Sequence, residues 1–286
     1  MQSSSVVTSS AGINSSPTAL VTGAASGLGL ATAQHLARNG WKVYAGFRPD
    51  GRSAPALNAT FDGRIHWVPL DVTSREARAT AIATIERADG RLDALINNAG
   101  IHAAGPLEEI PERILREVME VNFFGAINLT RECLPLMRRR KRGVIVMISS
   151  LSALIGLPFD GAYAASKFAL EGASESLRFE VESFGIRVAL LEPGAYATGL
   201  TSRDHTTPAE PSLYPAFERA RRGRAPTASS GGDPQEVAER ILSLVSGEGD
   251  QLRVPCGAQA AMVVARLATL DEAQRRAFAL QAAGVM

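Results

Sequence analysis

The sequence predicts an α/β fold, a doubly wound parallel sheet sandwiched between two helical layers in a three-layer single domain, and three observations predict it. Short apolar runs alternate with amphipathic helical stretches from Thr18 onward, and a glycine-rich turn directly follows the first run. The chain's 286 residues, 45% of them hydrophobic, can bury one large core.

Residues 1–17, "MQSSSVVTSSAGINSSP", are rich in Ser and Thr and lack apolar periodicity, so they read as a disordered tail outside the fold of 18–286. The first βαβ unit then follows as "TALVTG", "GLGLATAQHLARNG" and "KVYAGF", with a third strand in "RIHWVPLDV". Strands in "LDALINNAG", "GVIVMISS" and "IRVALLEPG" alternate with a long helical stretch over 111–140 and a helix from about Tyr163 to Phe184. Six apolar strands in this order make a parallel sheet covered on both faces, and its ligands sit beyond the carboxyl ends of the strands. A polar insertion at 199–232 bears prolines and arginines, and the helix "DPQEVAERILSLV" comes after it. A short strand near "QLRVP" and two helices close the chain, and no internal repeat is visible.

Composition excludes several function classes. A net charge of +1 offers no field to recruit nucleic acid or an anionic membrane. The N-terminus has neither a basic nor an apolar leader region, and the apolar runs are too short to span a bilayer, so a soluble cytoplasmic protein is expected. Cys133 and Cys256 are too few for a disulfide framework, and His35, His66, His102 and His205 show no ligand spacing, so no metal is expected.

The turn "TGAASGLG" puts Gly23, Gly27 and Gly29 where the backbone must turn and let a phosphate approach the amides of a helix N-terminus. Such a turn can also be only a tight connection, but the strand before it and the helix after it favour a dinucleotide seat. About twenty residues on, where an acid would bind the ribose 2′-hydroxyl of NAD, Phe47 and Arg48 stand instead. With no carboxylate to repel a 2′-phosphate, and a guanidinium to pair with one, NADP(H) is favoured over NAD(H). A solvated loop arginine is the alternative.

"GAYAASK" sets Tyr163 and Lys167 four apart, hence on one helix face with their polar ends converging. A positive charge about 5 Å from a phenolate, at an effective dielectric near 20, is worth about 3 kcal/mol, which would bring the phenol roughly 2 pH units below its ordinary value near 10. Tyr163 would then serve as an acid/base near neutrality. Ser150, at the end of the preceding strand, offers a hydroxyl to polarise a carbonyl in the same crevice.

Taken together, "TGAASGLG", Asp71 in "LDV", "NNAG" at 97–100, Asn122 in "VNFFG", Ser150 in "ISS", "YAASK" and "EPGAYAT" at 192–198 resemble the short-chain dehydrogenase/reductase family, in the family's order, over about residues 18–255. The resemblance implies a Rossmann-like fold in which Tyr163 is the general acid/base, Ser150 orients the substrate oxygen, Lys167 lowers the tyrosine pKa and holds the nicotinamide ribose, and Asn122 keeps a water in the proton relay. It further implies that Asp71 and Val72 border the adenine and that Thr198 meets the carboxamide. By the same resemblance Asn98, Ala99 and Gly100, together with Ser26, Leu28, Pro193 and Gly194, contact the cofactor. "KVYAGFR", "GLPFDGAYAASKFALEGASESL" and "GPLEEIP" look most like the branch of 17β-hydroxysteroid and retinol dehydrogenases, which act on alcohols and ketones of lipophilic molecules. One departure is the tract Leu151-Ser152-Ala153, where small residues and glycine are usual; Leu151 would narrow the pocket.

The function expected is NADP(H)-dependent interconversion of a ketone or aldehyde and an alcohol on a small lipophilic substrate. A non-catalytic nucleotide sensor on the same fold is the alternative, and retention of Ser150, Tyr163, Lys167 and Asn122 together argues against it. A sugar-nucleotide epimerase is disfavoured by the glycine spacing and the short C-terminal portion. If the resemblance extends to assembly, helices 111–140 and 163–184 pack across the axis of a homodimer or homotetramer. The insertion 199–232 is expected to be a lid with flexible glycine ends at Gly199 and Gly231-Gly232, its helix carrying Leu213, Tyr214 and Phe217 on one side. "RRRKR" at 138–142 reads as cations at a helix C-terminus, and the arginines of "ERARRGR" at 218–224 as a solvated face or an anion contact. His102 reads as a packed or solvent-facing loop histidine.

Overall fold

The computed structural model of the chain describes residues 16–49, 63–196, 211–223 and 231–285. Its centre is a seven-stranded, wholly parallel sheet in the order β3-β2-β1-β4-β5-β6-β7. The strands are β1 Thr18–Val21, β2 Lys42–Phe47, β3 Ile65–Pro69, β4 Ala94–Asn97, β5 Gly143–Ile148, β6 Ile186–Pro193 and β7 Arg253–Cys256. The seventh is the short strand expected near "QLRVP", and it extends the sheet beside β6.

Side chains alternate across the pleat, and each face finds a helical layer. Val21, Val43, Ile96, Val146 and Leu191 pack with Leu36 of α1 (Gly27–Arg38) and Ile241 of α7 (Pro234–Ser246). On the other face Leu20, Leu95, Ile145 and Leu190 meet Ile85 of α2 (Arg75–Asp89), Leu129 of α4 (Ala126–Arg140) and Leu170 of α5 (Gly161–Val181). Each fully buried side chain of this size contributes about 1.5–3 kcal/mol, so the two faces together fix the strand register.

The stretch 111–140 is not one uninterrupted α-helix. It runs as α3 (Glu112–Met119), a π-helical turn over Glu120–Gly125, and α4, with Asn122 inside the turn. Arg138, Arg139 and Arg140 lie in the last turn of α4, as read from "RRRKR". The remaining helices are α6 (Pro215–Gly223), α8 (Ala258–Leu267) and α9 (Glu272–Ala282), the last two being the expected closing pair. Among the described residues, no helix is long and apolar enough to cross a membrane, and no cluster of His, Cys, Asp and Glu could hold a metal ion.

From β1 the chain winds outward to β3, then returns beside β1 as β4 and winds the other way. A crevice therefore opens at the carboxyl ends of β1 and β4, where consecutive connections diverge to opposite sides.

Candidate active site

One threonine ties the switch point together. Thr22, just past β1, accepts through Oγ1 from the amides of Asn98 and Ala99, both at 2.9 Å, and Asn98 Nδ2 donates back to Thr22 O at 2.7 Å. Sequence reading placed Thr22 in the motif without a role, because a hydroxyl at a strand end carries no signal of its long-range partner.

The glycine turn is built for close approach. Gly23 has φ +64°, a conformation costly to any residue with a Cβ. A Cβ on Gly29 would lie 2.4 Å from Gly23 O and 2.5 Å from Asn98 Nδ2, so only glycine lets α1 begin this near the ends of β1 and β4. Ser26 is the N-cap of α1 but its side chain makes no capping bond, and Leu28 packs against the core beneath. This narrow backbone cradle facing a helix N-terminus fits a pyrophosphate.

The other cofactor candidates surround the same crevice. Arg48 is exposed just past β2, beyond Phe47, whose ring meets Trp67 edge-on. Asp71 follows β3 and accepts from the Thr73 amide and hydroxyl at 2.9 and 2.7 Å, while the buried Val72 accepts from Arg78 at 2.7 Å. Gly100 lies against the Asn122 carboxamide; Pro193 ends β6 and Gly194 follows it. Thr198 lies outside the described residues.

Tyr163, Lys167 and Ser150 come together as the spacing required. The Lys167 ammonium lies 5.6 Å from the centroid of the Tyr163 ring and donates to Ile148 O at 2.7 Å, and the Ser150 side chain lies beside the phenol. Asn122 is pinned by its carboxamide: Oδ1 accepts from Ile101 N at 2.8 Å, and Nδ2 donates to Ile101 O and Ser166 Oγ. The π-turn turns Asn122 toward this loop.

The pKa expected for Tyr163 needs correction. Burial pushes the phenol above its ordinary value; the neighbouring Ser150 hydroxyl works the other way, and the Asp160 carboxylate adds to the rise. Coulomb attraction alone set the sequence expectation, and it omitted the cost of moving a phenolate out of water. Lys167 suffers the same burial, which lowers its pKa to about 8 against the opposing pull of Glu171.

Two clusters were not read as functional. His102 Nε2 lies 2.8 Å from Asp160 Oδ1, Ser152 Oγ donates to Asp160 Oδ2 at 2.7 Å, and the His102 ring meets Tyr163 edge-on at 4.8 Å. Deeper, Glu171 accepts from Ser149 Oγ at 2.6 Å and from Arg253 Nε at 2.8 Å. Near it Glu192 is buried, and its Oε1 finds no hydrogen-bond partner among the described residues. Burial, then the Glu171 carboxylate, push Glu192 up to about 7, with Arg253 opposing.

The insertion departs from expectation in two respects. Helix α6 begins at Pro215, so Leu213 and Tyr214 precede it, and the three candidates do not share a side. Phe217 is 7% exposed with its ring 5.2 Å from Phe159, whereas Leu213 is 84% exposed. Leu213 N and Ser212 Oγ donate to Glu109, and the Tyr214 hydroxyl to Glu108, which docks this segment on the loop after β4. Nor is Gly232 a free hinge. It pairs in parallel with Tyr196, donates to Ala195 O at 3.0 Å, and lies so close to the Tyr196 ring that a Cβ would fall 2.7 Å from it. The Tyr196 hydroxyl is in turn held by Glu236 and Cys256 O, at 3.0 and 3.1 Å. Gly199 lies outside the described residues.

A doubly wound sheet with a glycine cradle at its switch point, and a tyrosine, lysine and serine converging beside it, defines a dinucleotide-binding oxidoreductase. Residues 17–209 match the short chain dehydrogenase family, and the chain belongs to it. It is 36% identical over 241 residues to a 3-ketodihydrosphingosine reductase of Bacteroides thetaiotaomicron, covering 83% of this chain and 87% of the relative. It is equally 36% identical to estradiol 17-beta-dehydrogenase 1 of Rattus norvegicus over 248 residues, 82% of this chain and 72% of the relative. The crystal structure of a short-chain dehydrogenase from Streptomyces avermitilis superposes with a TM-score of 0.78 at 35% identity, covering 88% of this chain and 92% of that one. Within the family the chain sits with the hydroxysteroid and retinol dehydrogenases.

Proposed function

We propose that this oxidoreductase interconverts a ketone or aldehyde and an alcohol on a small lipophilic molecule, using NADP(H), with Tyr163 as the proton donor and acceptor. The observation that carries the reading is the meeting of Ser150, Tyr163 and Lys167 at the carboxyl ends of β5 and its neighbours, one strand from the glycine cradle.

When bound, NADP(H) supplies or accepts the hydride at the carbonyl carbon. Ser150 donates to the substrate oxygen and orients it beside the phenol. Tyr163 gives its proton to that oxygen in reduction and takes it back in oxidation. The raised phenol pKa keeps it protonated at neutral pH, the form reduction needs. Lys167, mostly charged below about pH 8, faces the phenolate left behind. Arg48, past the end of β2, is the residue for a 2′-phosphate. A lipophilic substrate is supported by relatives named for ketodihydrosphingosine and estradiol, and by Phe159 and Phe217 packed together on the rim. Assembly as a homodimer or homotetramer is supported by Phe124, Phe168 and Phe179, all exposed on the π-turn and α5, the last two eleven residues apart and so on one helix face.

Nicotinamide absorbance, followed with a panel of ketones and alcohols, tests the reading. Tyr163→Phe should lose about a hundredfold or more in kcat while NADPH binding, followed by fluorescence, persists. Retention of more than about a tenth of the wild-type kcat would contradict the role.

A further inference from the structure

We propose that His102 is a positioning residue for Tyr163, held against the phenol ring by an Asp160 carboxylate that forgoes capping its own helix to do so. This deepens the function proposed above and rests on Tyr163 as the acid/base.

Asp160 occupies the N-cap of α5, three residues before Tyr163. Aspartate is favoured there because its side chain accepts from the amides of the first turn, yet no such bond is made. One carboxylate oxygen takes the His102 Nε2 at 2.8 Å and the other the Ser152 hydroxyl at 2.7 Å. Facing an ionised carboxylate, which only accepts, His102 would carry a proton on Nε2. With the His102 and Asp160 side chains 12% and 13% exposed, the pair is largely shielded from competing water.

Three chain segments thus meet at one side chain: the loop after β4, the turn after β5 and the start of α5. The product of that junction is the edge-on contact of His102 with Tyr163, ring centroids 4.8 Å apart and planes at 64°. Ser150 lies beside the phenol and Lys167 5.6 Å from the ring centroid; the imidazole abuts the ring edge-on. Proton transfer tolerates little displacement of the donor, so a misplaced ring slows the reaction even with every reacting group present.

The pair also sets a local field. The titratable groups facing Tyr163 are Lys167 and Asp160 from α5 and its cap, and His102 from the β4 loop; Glu171 acts on Lys167 from one turn further along. Asp160 opposes ionisation of the phenol, and an N–H of His102 directed at that carboxylate, 2.8 Å away, would offset part of its charge. Removing either partner should move the phenol in opposite directions, which a purely structural contact would not do.

The test compares kcat against pH for wild type, His102→Phe, Asp160→Asn and Tyr163→Phe, with NADPH binding by fluorescence and thermal melts for each. His102→Phe keeps an aromatic contact but leaves Asp160 without that donor, so the midpoint of the Tyr163 limb should rise by about one pH unit. Asp160→Asn should lower it by a similar amount. Both should lose about ten- to a hundredfold in kcat while binding NADPH within about twofold of wild type. His102→Gln, which can still donate to Asp160, should fall between wild type and His102→Phe, and it replaces the Phe variant if that one does not fold. If Tyr163→Phe stays active, the acid/base reading itself fails. If Tyr163→Phe is inactive yet the two midpoints stay put or move the same way, the role of His102 is overturned.

Discussion

Replacing Glu192 by Gln should stabilise the protein at mildly alkaline pH and do little near pH 5. Glu192 lies one residue before the end of β6 at 1% exposure, with one carboxyl oxygen lacking a partner among the described residues. Its pKa is about 7 against an ordinary 4.5, from burial first, then the Glu171 carboxylate, with Arg253 opposing. Between those values the folded protein holds a proton that the unfolded chain has released, so stability falls as pH rises from about 4.5 to about 7 and stays reduced above. A difference of roughly 2.5 pH units at about 1.4 kcal/mol each gives a ceiling of about 3.5 kcal/mol. Gln is neutral throughout and escapes that loss, although its extra N–H arrives without a partner and takes back part of the gain. For a chain of this size about 1–3 kcal/mol corresponds to roughly 2–10 °C in Tm. Melts of wild type and variant near pH 5, 6 and 8 would follow the difference. A variant destabilised equally at all three, or helped more near pH 5, would show that Glu192 is not a buried acid strained by its ionisation.

Arg48→Ala should raise KM for NADPH by about ten- to a hundredfold, since a charge-assisted pair is worth about 1.5–3 kcal/mol, and should change KM for NADH little; a wild-type preference for NADH would defeat the assignment. Phe217→Ser, which removes the ring packed on Phe159, should raise KM for bulky lipophilic ketones by about tenfold or more and leave the Kd for NADPH within about twofold. If NADPH binding collapses while the ketone KM holds, α6 serves the cofactor and not the substrate.

Strands and the glycine turn were legible because short apolar runs, buried almost throughout in β1, β4 and β5, and φ-permissive glycines leave marks within a few residues. The convergence of Tyr163, Lys167 and Ser150 followed from helix geometry and one strand end. The π-turn at 120–125 was not legible, since the apolar periodicity of "ERILREVM" and "AINLTRECLPLM" runs on either side and the single Gly125 between them marks no change from α to π. The tie of Thr22 to Asn98, the neck at Tyr196 and Gly232, and the meeting of His102 with Asp160 each join residues far apart in the chain, and no local pattern announces them. The pKa of Tyr163 was misjudged for a related reason: charge spacing is written in sequence, whereas the depth at which the phenol lies is a property of the whole fold.

Tyr196 and Gly232 hold the two ends of the insertion side by side, with the Tyr196 hydroxyl anchored on Glu236 and Cys256. A segment whose ends are already joined can change length cheaply, each doubling adding only about 0.6 kcal/mol of closure entropy. The neck therefore makes the insertion an exchangeable cassette. If the insertion borders the substrate as proposed, segments from relatives with other substrates, grafted between these two residues, would alter what the crevice accepts while the cradle of Gly23 and Gly29 and the proposed acid/base Tyr163 stay those of the original protein.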